Sequence, residues 1–487
     1  DSQQPLRFLK ATAVAGLIAG TYGIFQYFGW DPLLAPSAYR IGEGKWGIVR
    51  PPGTLGHASY FSTFLLYAVF AAAGLWTMTG DRWRIVWGAS MILGSTAIVL
   101  SGTRAAVLGL LIGGFVLFAT VRPRLRRSHV ATALGIAAIA IVFYLSPPGE
   151  QLRSRTRWSS EDRFGGSRLL LWRDSVRMAA ERWAVGFGPE LFTTEFPRRQ
   201  SLKLARAYPD FYQESPHNIF LDAFAAQGVA GPILLAAFAL VALFGWRSAR
   251  WAPAVAAGFI AALISEQFAP FTMPTALYFF SFGGLLCVTE GSERRAADPR
   301  FPRFSGWPVA AALCFLVFRM TGAEVDFARA KRDIARGAVD EAYQAQMAGA
   351  KWALPGPQYD LYFSRAWLAL SQAQSDPWRR FQVWQHAMES AVRASRSADD
   401  RANALVNLAA FQAGLDNAPA VESSLRAAAR FAPNWFRPHF LLARFYLQTG
   451  RLDEAESSAR LAIERNGGRD KEVQETLDRV RAARTRQ

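Results

Sequence analysis

A histidine and three arginines carry residue types and settings that could do chemistry together. His217 stands in Glu214-Ser-Pro-His-Asn218, where Pro216 stiffens the backbone and Asn218 can cap a following helix. An apolar face then runs through Ile219, Leu221, Phe224 and Ala225 to Gly228-Val-Ala-Gly231. A titratable imidazole therefore sits where a polar loop meets a membrane, a place for a general base. The same residues could instead do no more than cap a helix at the lipid surface. Arg104 follows Ser101-Gly-Thr at the head of an otherwise uncharged apolar helix, where a guanidinium must snorkel or meet an anion. The hydroxyls and amides of Ser101-Gly-Thr beside it suit phosphate oxygens. Arg168 opens an amphipathic stretch after Gly166. Arg50 heads the turn cluster Arg50-Pro-Pro-Gly-Thr-Leu-Gly-His57, in which Arg50 and His57 either contact a ligand or form a turn with a snorkelling arginine. Glu266, near the end of an apolar stretch, is a second group that could act as base or proton relay.

These groups must be positioned by a membrane bundle. The 487 residues are 51% hydrophobic with 36 Phe and 16 Trp, yet the mean hydropathy is only +0.07, so the chain has two unlike halves. Taking about 20 apolar residues per span, we expect helices near 6–28, 57–78, 83–100, 104–121, 130–145, 229–246, 252–268, 271–289 and 306–320. Arg7 and Lys10, Arg82 and Arg84, Arg122 to Arg127, Arg247 and Arg250, and Arg294 to Arg303 fall on one side if these nine alternate. That side should be cytoplasmic, and the 29–56 loop, the 101–104 turn, the long 147–228 segment and everything after Met320 should be periplasmic. Read this way, much of the net charge of +17 is a topology signal rather than a nucleic-acid surface.

Within 147–228, Leu169, Leu170, Trp172, Val176, Met178, Ala179 and Trp183 recur at helical spacing among Arg168, Arg173, Asp174 and Arg177. They predict an amphipathic helix on the membrane surface or on the bundle. Gly16/Gly20 and Gly109/Gly113 have the spacing of close helix packing. Beyond Met320 the pattern changes. Residues 434–466, with Ala443, Tyr446, Gly450, Leu452, Ala455, Ala459 and Ala462, match a tetratricopeptide repeat of about 34 residues. Weaker copies lie at 326–354, 360–395 and 402–433. Such a solenoid binds a peptide or protein partner or caps the membrane domain. The expected fold is thus all-α, with a membrane domain at 1–320 and a repeat domain at 321–487. Cys287 and Cys314 both lie in apolar segments and support neither disulfide nor thiolate metal site. The chain opens at Asp1 without a signal peptide, so an N-terminal portion is expected to be missing.

Arg50-Pro-Pro-Gly-Thr-Leu-Gly-His57, Ser101-Gly-Thr-Arg104, Gly166-Ser-Arg-Leu-Leu-Leu-Trp172, Gly186-Phe-Gly-Pro189, Ser215-Pro-His-Asn218 and Gly228-Val-Ala-Gly231 occur in one order. Together they resemble the bacterial O-antigen ligase family, which also holds O-antigen polymerases and protein O-oligosaccharyltransferases. The resemblance covers roughly residues 6–289. It implies a membrane bundle of the glycosyltransferase C-like kind and inverting transfer without a metal or other cofactor. The implied donor is an undecaprenyl-pyrophosphate-linked glycan, and the acceptor is a lipid A core, a growing glycan or a protein. It carries the functional positions onto Arg104 and Arg168, which would hold the donor, and His217, which would be catalytic; Arg50 is counted with the substrate-binding arginines. Two other classes stand beside this reading: a lipid-linked glycan transporter or flippase, whose charges should lie deeper in the helices, and a membrane-anchored scaffold.

Overall fold

A helix that is apolar on every side has no face to give to water, and the first unit is built round one. The computed structural model describes residues 4–35, 38–43, 46–122, 127–161, 166–209, 212–245, 250–287, 307–354 and 359–486. Arg124, Arg126, Arg247, Thr289, Arg294, Arg295, Arg300 and Arg303 lie outside them. In chain order the helices are α1 Gln4–Tyr27, α2 Ala58–Trp76, α3 Asp81–Leu100, α4 Arg104–Val121, α5 Arg127–Leu145, α6 Glu150–Glu161, α7 Arg168–Glu181, α8 Phe192–Glu195, α9 Leu202–Ala207, α10 Ile219–Gln227, α11 Ala230–Gly245, α12 Ala252–Ser265, α13 Met273–Leu286 and α14 Trp307–Arg336. There follow α15 Val339–Trp352, α16 Tyr359–Gln372, α17 Pro377–Ser397, α18 Arg401–Ala413, α19 Ala418–Phe431, α20 Phe436–Gln448, α21 Leu452–Asn466 and α22 Lys471–Arg484. Two short strands, β1 Arg40–Glu43 and β2 Trp46–Val49, pair antiparallel within an otherwise all-helical chain. The residues divide into two units, 1–189 with 215–295 and 190–214 with 296–487. In this division 190–214 and 296–320 fall with the second unit.

In the first unit α2 is buried along nearly its whole length and is surrounded by α1, α3, α4, α12 and α13. The small-residue spacings do what such spacings permit: a Cβ on Gly109 would lie 2.3 Å from the Ala261 carbonyl oxygen, and one on Gly113 2.8 Å from that of Ala257. α4 and α12 thus touch backbone to backbone. Helices α1 to α4 are long and apolar enough to cross a membrane, whereas α11, α12 and α13 have 16, 14 and 14 residues. At 1.5 Å per residue the shorter two reach only about 21 Å of a roughly 30 Å hydrocarbon core. Protein side chains rather than lipid surround α12, most of whose residues are buried.

Two glycine motifs lock the 183–229 stretch together. Phe187 N donates to Ala225 O, Gly188 N to Ala226 O and Val229 N to Trp183 O, at 2.8, 3.0 and 2.7 Å. Gly228 has φ +65, and a Cβ there would lie 2.4 Å from the Ala184 carbonyl carbon. Gly228→Ala is therefore expected to lower the unfolding temperature of the solubilised protein. The left-handed backbone alone costs about 1–3 kcal/mol, and the clash forces the paired segments apart. An unchanged melting curve would show that the two motifs are not interlocked.

The expected amphipathic helix is α7, and its buried face is only partly the one that apolar spacing marks. Leu170, Leu171, Asp174, Ser175, Met178 and Ala179 are buried, whereas Leu169, Val176 and Trp183 are exposed. The inward face carries Asp174, whose carboxylate is paired with Arg173 at 2.8 Å, and α7 packs on α10. An ion-paired carboxylate on the inner side leaves a second apolar stripe outside.

In the second unit the expected ninth span does not stop at Met320. α14 continues to Arg336: Leu313, Phe315, Val317 and Phe318 are exposed on its first half, and Ala323, Phe327 and Ala330 are buried on its second. Successive helices α14/α15, α16/α17, α18/α19 and α20/α21 then pack as pairs, with α22 after them. Ala443, Ala455, Ala459 and Ala462 are among the most completely buried residues of the last pair, and Gly450, at φ +77, turns the chain between α20 and α21.

Candidate active site

Four arginines from four separate elements of the first unit line one cavity of about 370 Å³. Arg50 leaves the end of β2, where its amide donates to Tyr39 O at 3.0 Å. α6 packs against β2 and brings in Arg155. Arg104 is the first residue of α4, and Arg168 the first of α7. The Arg168 Nη2 donates to Phe268 O at 3.1 Å, and the guanidinium lies 5.8 Å from the centre of the Phe268 ring. Its Nε is buried and has no hydrogen-bond partner among the described residues. Burial, followed by the charges of Arg104 and Arg50, holds Arg168 below the ordinary arginine range. Among the described residues no carboxylate lines the cavity, so their combined field is that of a ready anion site.

The Ser101 and Thr103 hydroxyls do not join that site as expected. Ser101 Oγ donates to Ile98 O and accepts from Thr103 N at 2.7 and 3.2 Å, and Thr103 Oγ1 donates to Ala58 O at 3.4 Å. They are spent on shaping the turn. What the turn presents instead is the start of α4, which has no side-chain cap; Thr103, Arg104 and Ala105 of this first turn line the cavity. Unsatisfied amides at a helix N-terminus favour an anion.

His217 stands beside this cavity and is not among the residues that line it. Its backbone is left-handed, φ 54, a conformation that a residue other than glycine holds only where its surroundings enforce it. They do so on both sides. Trp172, in the cavity wall, donates through Nε1 to Pro216 O at 3.0 Å, and His217 N donates to Ser215 Oγ at 3.1 Å. Asn218 Oδ1 accepts from Phe220 N and Leu221 N, while its Nδ2 donates to Gln267 O and Oε1. Asn218 thus caps α10, and the imidazole is left over for other work. Among the described residues no hydrogen bond reaches its ring. Burial first, then Arg168 and His57, push its pKa down to about 4. It is neutral at ordinary pH.

The remaining candidates fall differently. His57 caps α2, its Nδ1 accepting from Ser59 N at 3.2 Å, so capping is what this ring does. Glu266 is fully buried and lies off the cavity wall; its backbone carbonyl receives Ile219 N at 3.3 Å, which ties the start of α10 to the end of α12. Arg155 was not singled out from the sequence, where it is one of the alternating Arg153, Arg155 and Arg157. Only the packing of α6 on β2 selects it.

Residues 89–236 match the family model described as O-Antigen ligase. That stretch contains Arg104, Arg155, Arg168 and His217 and leaves out Arg50. Among curated proteins none matches the chain.

Proposed function

We propose that the chain, whose residues 89–236 match the O-antigen ligase family model, is a multi-pass membrane protein that moves a glycan from undecaprenyl pyrophosphate to an acceptor hydroxyl at the periplasmic face. The observation that carries this is the cavity with Arg50, Arg104, Arg155 and Arg168 in its wall and His217 at its side. The acceptor oxygen attacks the anomeric carbon with inversion, the bond from that carbon to the pyrophosphate oxygen breaks, and the acceptor proton passes to the imidazole. The arginines stabilise the pyrophosphate as it departs. Trp172 also borders an open hollow of about 600 Å³, with Val176, Phe220 and Leu221 among its lining residues, which suits an isoprenoid tail.

Purified protein given the lipid-linked glycan with lipid A core, free glycan or a hydroxyl-bearing protein in turn should extend one of them. Failure with all three, while the donor still binds, would sink the transferase reading. The helix pairs of the second unit are read as tetratricopeptide repeats.

The membrane orientation has its own test. In a variant with Cys287 and Cys314 replaced by serine, a cysteine at the exposed Thr156 should react with an impermeant maleimide in spheroplasts, and one at the exposed Thr77 should not. The motive is the arginine bias of the short loops. The opposite labelling would invert the topology.

A further inference from the structure

The second unit holds a cavity of about 490 Å³ that the proposed reaction does not use. One wall is the segment 190–214, which is fastened to the helix pairs over a long sequence separation. Asn434 Nδ2 donates to Gln200 O at 2.7 Å, Arg206 Nε to Glu464 O at 2.8 Å, and Arg469 Nη1 to Arg206 O at 2.7 Å. The Arg198 guanidinium lies 4.5 Å from the centre of the Phe431 ring. The face of the array that a partner peptide could have used is therefore covered here by the chain itself, and what remains is a pocket.

The lining combines aromatic rings from both walls, Tyr208, Tyr212 and Trp435, with planar polar groups. Arg365 Nη2 donates to Asn403 Oδ1 at 2.9 Å, and Asp400 Oδ1 accepts from Asn403 N at 3.1 Å. Gln213 is 6% exposed, and its Nε2 has no partner among the described residues. A buried amide donor without an acceptor is unfavourable, and a ligand oxygen would satisfy it.

We propose that this cavity binds a saccharide of one or two sugar units. A sugar ring offers C–H groups on its faces, which aromatic rings accept, and paired hydroxyls on its rim, which fixed amide, carboxylate and guanidinium groups satisfy in both donor and acceptor senses. The volume falls in the range of small-molecule sites, about 300–1,000 Å³. A phosphate would meet Asp400 as well as the arginines, and an extended peptide would need the open groove that residues 190–214 occupy. Which glycan enters rests on the transfer reaction proposed above: the O-chain if the site retains the donor, the core if it retains the acceptor.

The test is binding of lipid-free oligosaccharides to the full-length solubilised protein, followed by saturation-transfer NMR. Core and O-chain fractions released from the host lipopolysaccharide serve as separate probes. Wild type and Arg104→Ala should bind alike, and either fraction suffices to support the site. Gln213→Ala and Asn403→Ala should each weaken binding, and together by about tenfold or more, with helical content unchanged. Full affinity in the double variant, or loss of binding in Arg104→Ala, would move the sugar to the first unit and overturn the proposal. So would failure to bind either fraction in a protein that still transfers, or binding of an extended partner peptide with no saccharide. Retained saccharide binding in a protein that transfers nothing would leave this site standing and count against the transferase reading alone.

Discussion

His217→Asn is expected to lose about 10²–10⁴-fold in transfer while still binding the lipid-linked donor, because it removes a proton acceptor and little else. Asparagine tolerates the left-handed backbone, φ 54, that His217 holds, and the cap of α10 belongs to Asn218, so the variant should fold. Near-normal turnover would remove His217 as base. The pH dependence supplies a second check. Only the neutral ring accepts a proton, and in the free protein its pKa is pushed down to about 4. The rate constant kcat/KM should therefore hold from neutral pH down to about 5 and fall tenfold per pH unit below about 4, rather than from the ordinary 6.5. A base of pKa 4 is weak. The charges of a bound pyrophosphate act against those of Arg168 and His57 and raise it, so the limb in kcat should lie at higher pH than the limb in kcat/KM. Coincident limbs, or a limb at 6.5 in kcat/KM, would mean that the titrating group is not this imidazole.

Arg168→Ala should reduce kcat/KM by about 30- to 5,000-fold, the range of about 2–5 kcal/mol for removing one member of a desolvated charge pair. The larger part should appear in donor binding, since the guanidinium is already held against Phe268 before any ligand arrives. Arg168→Lys should recover only part of the loss, because an ammonium cannot grip two oxygens through a planar fork. Arg168→Ala should also move the acid limb of kcat/KM upward, for Arg168 is the foremost charge depressing His217. Inorganic pyrophosphate should raise the unfolding temperature of the wild type, by linkage to the folded state, and do so less in Arg168→Ala. Full activity in Arg168→Ala would take that residue out of the site.

Local pattern alone determined a good deal here. The apolar runs place α1 to α4 and, in the second half, the helix pairs, since an amphipathic or wholly apolar period reports what each residue must meet, whatever its distant neighbours are. Ser215-Pro-His-Asn218, Ser101-Gly-Thr-Arg104 and Gly166-Ser-Arg168 likewise mark Arg104, Arg168 and His217 in the sequence itself. Tertiary structure decided which groups share a cavity. Arg50 and Arg155 stand 105 positions apart and meet because α6 packs on β2, a pairing no spacing announces. It decided that the Ser101 and Thr103 hydroxyls close a turn rather than greet a ligand, that the inner face of α7 carries Asp174 rather than Val176, and that residues 190–214 belong with the helix pairs. In each case the deciding partner is remote in sequence. Hydrogen bonds and ion pairs to remote backbone change what it costs to bury a polar group, and the periodicity of the chain counts only the residues, not those partners.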